Sequence, residues 1–140
     1  MGTEVKKFVL SQRSIDRLQG VHPDLVAVVK RAIELACQDF MVVEGLRTVE
    51  RQRELVAKGA SKTMSSYHLP QATGYGHAVD LAPLVGKEIP WSDWAAFAGM
   101  ADTVKSAAQE LGVPIEWGGD WKTFKDGPHF QIPRAWRGRA

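Results

Sequence analysis

Three of the four histidines, His68, His77 and His129, sit beside acidic residues or glycine-rich turns rather than on an apolar helix face, a distribution that suggests a metal. A catalytic zinc site takes three protein ligands of imidazole or carboxylate type and leaves the fourth position for water. His68, Asp80 and His129 make a sufficient set, provided that one loop and two strands converge. Strand alternation supplies a check. Across 77–84, Ala78, Asp80 and Ala82 fall on one face while His77, Val79 and Leu81 fall on the other, so His77 and Asp80 should not share a metal. In the last strand His129 and Gln131 point one way while Phe130 and Ile132 point into the core, which gives a ligand a firmly packed base.

Asp126 stands three positions before His129, across a Gly127-Pro128 turn, where a carboxylate approaches the metal-activated water without being a ligand. It is the candidate general base: zinc lowers the pKa of its water to about 7, and a positioned carboxylate takes the remaining proton and hands it to the leaving amine. Arg47, just after a short buried strand and Gly45, is a fixed cation for either a developing oxyanion or a substrate carboxylate, with a structural ion pair as the plainer reading. Trp117 and Trp121 either line a cleft or complete the core. Cys37, beside Ile33, Ala36 and Phe40, reads as a core residue rather than a nucleophile. His22, ahead of Pro23, reads as the start of a helix, and Arg134, Arg137 and Arg139 as a solvated tail.

The elements that must hold these groups follow from spacing. Ser11 or Ser14 caps a short first helix through Leu18. Pro23 opens a second, on which Leu25, Val28, Val29, Ala32, Ile33, Ala36 and Phe40 recur at helical intervals. Met41-Val42-Val43 reads as a buried strand, Val49–Lys58 as a helix closed by Gly59, and Ser61–Gly76 as a long polar loop. A strand follows at His77–Leu84, a helix at Trp91–Leu111 stopped by Gly112, and short strands at Ile115–Trp117 and His129–Ile132. The fold class is α+β, with helices packed on a small antiparallel sheet.

At 140 residues, with 44% hydrophobic and 24% charged residues, the chain reads as one soluble domain spanning 1–140. A formal charge of +2 falls well short of a nucleic-acid-binding footprint. One cysteine excludes an internal disulfide. The first ten residues lack the apolar core of a signal peptide, and no apolar run approaches the ~20 residues that span a bilayer, so the protein is expected in the cytoplasm where it is made.

Taken in order, Val21-His22-Pro23-x-Leu25, Gly45-x-Arg47-Thr48 with Gln52 and Gly59, Ser66-x-His68, and Gly76-His77-Ala78-Val79-Asp80-Leu81 form a specific set. They continue in Trp117-Gly118-Gly119-Asp120-Trp121 and Phe124-x-Asp126-x-Pro128-His129-Phe130. Over roughly Ser11 to Pro133 this set resembles the zinc peptidases that include D-alanyl-D-alanine carboxypeptidases and phage L-alanyl-D-glutamate endolysins. The resemblance implies a hedgehog/DD-peptidase-like fold, Zn2+ on His68, Asp80 and His129, base catalysis by Asp126, charge stabilisation by Arg47, and Ser66, Trp117 and Trp121 as substrate contacts. Small size, no signal peptide and Asp rather than Glu at 126 look more like the endolysin branch, which cuts the L-Ala-D-Glu bond of the peptidoglycan stem peptide. A monomer that reaches the wall through a holin-type lesion is what that branch implies. The alternatives are a D,D- or L,D-carboxypeptidase of the same fold and, outside enzymes, a catalytically silent zinc- or wall-binding module. One departure stands out: Leu69–Tyr75 lengthens the step from His68 to Asp80 to twelve positions, which makes His77 the competing ligand and the extra loop an expected rim of the cleft.

Overall fold

A computed structural model describes residues 8–61 and 63–138. The first seven residues, on which much of the reading of the N-terminus rests, and Arg139 of the basic tail lie outside the described residues. Among the described residues four helices and four strands follow one another along the chain: α1 (Gln12–Arg17), α2 (Pro23–Leu35), β1 (Phe40–Glu44), α3 (Val49–Ala57), β2 (Ala78–Pro83), α4 (Trp94–Leu111), β3 (Glu116–Trp117) and β4 (His129–Gln131). A single 3-10 turn, Gly118–Asp120, follows β3.

Local chemistry starts each helix where the backbone N–H groups need an acceptor. Ser11, not Ser14, caps α1 by accepting from the Ser14 N–H. Pro23 is the first residue of α2, with the His22 ring accepting from the Asp24 N–H at 3.1 Å. Thr48 caps α3 and Asp93 caps α4 in the same manner, so α4 starts at Trp94 rather than at Trp91. Helix α2 stops at Leu35 because Ala36 turns extended, with ψ 135°. Phe40 therefore opens β1, its place in the helical spacing of α2 being coincidental, and Cys37 is exposed instead of packed in the core.

The strands form one antiparallel sheet in the order β1-β2-β4-β3. The last strand in the chain thus lies between β2 and β3, which sets Asp80 directly opposite His129. Strands of two and three residues hold themselves weakly. Their anchorage is the core: Val42, Val79, Leu81, Phe130 and Ile132 of the sheet pack with Leu25, Val28 and Val29 of α2 and Phe97, Ala101 and Val104 of α4. Phe130 and Ile132 are fully buried, and burial of such a side chain is worth about 1.5–3 kcal/mol. Those two residues, more than the ladder hydrogen bonds, keep β4 in register and its other face turned away from the core.

Candidate metal centre

Alternation along β2 and β4 delivers two groups to that outer face. Val79 and Leu81 fill the core while Asp80 turns away, and Phe130 and Ile132 do the same while His129 and Gln131 turn toward a pocket of about 500 Å³. The third group arrives on a loop. The His68 backbone is held by its N–H donating to Ser66 Oγ at 3.1 Å and its carbonyl accepting from the Arg47 N–H at 2.9 Å. Gly45 lets this segment pass against the end of α1, since a Cβ there would stand 2.1 Å from the Arg17 carbonyl oxygen, and a Cβ at Gly76 would come within 3.1 Å of the His68 carbonyl oxygen.

His68, Asp80 and His129 converge with their ligand atoms all within 4.8 Å of one another. His68 Nε2 lies 3.3 Å and His129 Nδ1 3.4 Å from the same oxygen, Asp80 Oδ1. That oxygen is buried and has no hydrogen-bond partner. Tetrahedral zinc with bonds of about 2.0–2.1 Å places its ligand atoms about 3.3–3.4 Å apart, so the spacing fits coordination. The remaining ring nitrogens are committed. His68 Nδ1 donates to the Gly45 carbonyl at 2.9 Å and His129 Nε2 to Gln131 Oε1 at 2.7 Å, leaving the opposite nitrogen of each ring with its lone pair aimed at the shared centre. The donor set, two imidazoles and one carboxylate with an open side toward the pocket, is that of a catalytic metal site.

Charge follows from this packing. Burial raises the Asp80 carboxyl, but the two flanking imidazoles outweigh it and hold the group well below the usual carboxylate range. Burial lowers His129, yet Asp80, Gln131 and Asp126 together raise its pKa. Asp126 sits in the same pocket, where burial first and the Asp80 charge second push its carboxyl up, partly offset by His129, His68 and Arg47. Its loop packs tightly on the 3-10 turn: a Cβ at Gly118 would lie 2.4 Å from the Asp126 carbonyl oxygen and 2.9 Å from its Cβ.

The other expected site residues divide. Arg47 lines the pocket, with Nε donating to Glu44 Oε1 at 2.5 Å and Nη1 to Gln52 Oε1 at 2.7 Å, so it is both ion-paired and presented to the cavity. Ser66 and Trp121 line the pocket, the Trp121 ring 5.2 Å from that of His129. Trp117 does not. Its ring is buried, stacked with those of Trp94 at 5.6 Å and Phe130 at 6.5 Å, and its indole N–H donates to the Gly127 carbonyl, so it completes the core and braces the Asp126 turn from behind. His77 is turned away, as alternation requires, and spends both nitrogens on Thr73 Oγ1 and the Pro133 carbonyl.

Leu69–Tyr75 supplies no pocket wall, contrary to expectation; 60–61, 63 and 65–68 do, with Leu55 of α3 behind them. The extra segment folds instead onto His77 and His22, because Thr73 and Tyr75 find their partners there. Two contributors carry roles that the sequence did not assign them. Gln131 shares a face with His129, a signal that alternation did supply, but its role as the acceptor for that ring emerges only from the distance. Gln52 is fully buried and joins Arg47 to Ser61 and Thr63, which no spacing announces.

Comparison with known proteins agrees with this geometry. The family model described as phage L-alanyl-D-glutamate peptidase matches residues 6–132. The chain is 34% identical to the L-alanyl-D-glutamate peptidase of Escherichia phage T5 over 91% of each protein. It is also 34% identical to the peptidoglycan L-alanyl-D-glutamate endopeptidase CwlK of Bacillus subtilis, covering 67% of this chain and 60% of that one. Among solved structures, the Serratia marcescens L-Ala D-Glu endopeptidase ChiX is 44% identical, superposes with a TM-score of 0.79, and covers 89% of this chain and 90% of its own. With nearly the whole length matched and a His-Asp-His metal site in place, the chain belongs to the phage L-alanyl-D-glutamate peptidase family.

Proposed function

We propose that this chain hydrolyses the L-Ala-D-Glu bond of the peptidoglycan stem peptide as a zinc endopeptidase, with His68, Asp80 and His129 as the ligands. The observation that carries the metal reading is the buried Asp80 Oδ1, unpartnered and equally spaced from two imidazole nitrogens of opposite tautomer. Two nitrogens, each 3.3–3.4 Å from one carboxylate oxygen, suit zinc. When bound, zinc supplies Lewis acidity that polarises an amide carbonyl and acidifies water.

The chain's own residues do the rest. Asp126, with its carboxyl pushed up by burial, accepts the proton of the attacking water and returns it to the departing amine. Arg47, held by Glu44 and Gln52, presents a fixed positive charge to the carbonyl oxygen as charge develops there or to a substrate carboxylate. Ser66 and Trp121 flank the stem peptide, while the buried Trp117 is withdrawn from that role. All these groups come from one chain, which supports action as a monomer. Among the described residues no helix is long and apolar enough to cross a membrane, and we assign passage to the wall to a holin-type lesion.

The test is mass spectrometry of purified muropeptides after digestion, with and without a chelator. A new free D-Glu amino group, lost on chelation, is the expected product; released terminal D-alanine would instead mark a carboxypeptidase. Asp126→Ala should retain its metal by elemental analysis and lose about 10²–10⁴-fold in kcat. Near-parental turnover in that variant would remove the base assignment, and absence of any cleavage by the metal-loaded parent would leave a silent binding module.

A further inference from the structure

Between α3 and β2 the chain runs through 63–76 with neither helix nor strand. Ordering such a loop costs about 1–2 kcal/mol of backbone entropy per residue, and a segment of this length inside a compact domain needs outside contacts to stay in place. It nevertheless supplies His68 to the metal centre and Ser65, Ser66 and Tyr67 to the pocket wall. On the α3 side it is held by Gln52, which donates to Ser61 Oγ at 2.8 Å and the Thr63 carbonyl at 2.5 Å. On the opposite side the residues just after β4 hold it.

The guanidinium of Arg134 makes three contacts there. One Nη donates to Gln71 Oε1 at 3.1 Å, the other donates to the Ser65 carbonyl, and the face of the group lies 4.2 Å from the centre of the Tyr67 ring. Two of these partners precede His68 and one follows it, so the clamp straddles the ligand. Its base is firm: Ile132 is fully buried, its N–H donates to the His77 carbonyl at 2.9 Å, and the His77 ring joins the Pro133 carbonyl to Thr73 of the loop. The planar fork donates to two separate acceptors along its edge while its face stacks on the ring, a combination that a tetrahedral lysine ammonium does not reproduce.

We propose that Arg134 is a positioning residue, which clamps the 63–76 loop from outside the pocket and thereby sets His68 and the wall formed by Ser65 and Tyr67. Arg134 thus has a duty beyond that of a solvated tail, and so does Leu69–Tyr75, whose Gln71 and Thr73 are the loop's grips on the clamp. The inference rests on His68 as a ligand, and its first readout is independent of catalysis.

In the metal-loaded full chain, cleavage by chymotrypsin after Tyr67 and Tyr75 measures how often the loop opens. Arg134→Ala should be cut in the loop about tenfold faster and show a KM for muropeptide about fivefold higher, with kcat within twofold, in line with losing an arginine's fork and ring contact. The thermal midpoint should stay within about 3 °C, which separates a local clamp from general destabilisation. Arg134→Lys should fall between parent and Ala, and Gln71→Ala should show a smaller loop effect; these two decide the matter if Arg134→Ala does not fold. Parental loop protection in Arg134→Ala, or a faster cut with parental KM, would overturn the proposal. If the parent cleaves no muropeptide, the function is wrong, whereas a faster chymotrypsin cut together with weaker zinc affinity of Arg134→Ala by chelator competition still supports the clamp, and parental values of both overturn it.

Discussion

The molecule holds two buried pairs of histidines with nearly the same ring geometry and different consequences. In each pair the ring centroids lie 5.2 Å apart, edge to face, with interplanar angles of 70° for His68 and His129 and 88° for His22 and His77. In the first pair each ring spends one nitrogen on an oxygen of the protein and turns the other toward Asp80. In the second, His77 spends both nitrogens on oxygens, and His22 caps α2. A metal centre is therefore made by unspent lone pairs aimed at a carboxylate, not by the proximity of imidazoles. The second pair is structural: it ties the start of α2, the long loop and the chain after β4 together.

The largest break in this contrast comes from Asp80→Ala. Removing the shared carboxylate should reduce zinc affinity, measured by chelator competition, beyond the 10–100-fold expected for losing an outer partner, and parental affinity would refute the site. Next comes Gln131→Leu, which frees the His129 Nε2 proton from its acceptor and should cost about 10–100-fold in zinc affinity, while Gln131→Glu retains it. Equal losses in the two variants would mean that Gln131 fills space and nothing more.

The smallest effect concerns the structural pair. Burial pushes His77 below the ordinary histidine range, opposed in part by its bond to Pro133. The unfolded chain binds a proton near pH 6.5 that the folded chain refuses, so this contribution is present above about 6.5 and is lost as pH falls toward the lower folded value. Urea midpoints at pH 7.5 and 5.5 should therefore drop more steeply in the parent than in His77→Gln. Identical slopes would show that His77 is not held neutral by the fold.

Sequence patterning reached far into this site because periods of two are geometric facts: once 78–82 and 129–132 are strands, Asp80, His129 and Gln131 must share the face opposite Phe130 and Ile132. Helix starts were legible for the same local reason at Pro23 and Val49, with Ser11 one of two candidates for the first cap, while the Thr48 cap itself came from the structure. Patterning failed where an element stopped without a strong signal. Ala36 leaves the helix with no glycine or proline to mark it, which carried Cys37 and Phe40 into the wrong element. It also failed for Trp117, since an aromatic ring suits a core and a cleft equally well until its neighbours are known.

What the residue order determined by itself was chemical identity and local direction: which groups can bind a cation, which strand face each occupies, and which family the motifs resemble. Tertiary structure alone decided the rest. The order β1-β2-β4-β3 brings residues 80 and 129 opposite each other, and the partner shared by 65, 67 and 71 is Arg134, after β4. Those contacts depend on how separate segments close on one core, and an interaction across such a sequence gap leaves no periodic trace in the chain.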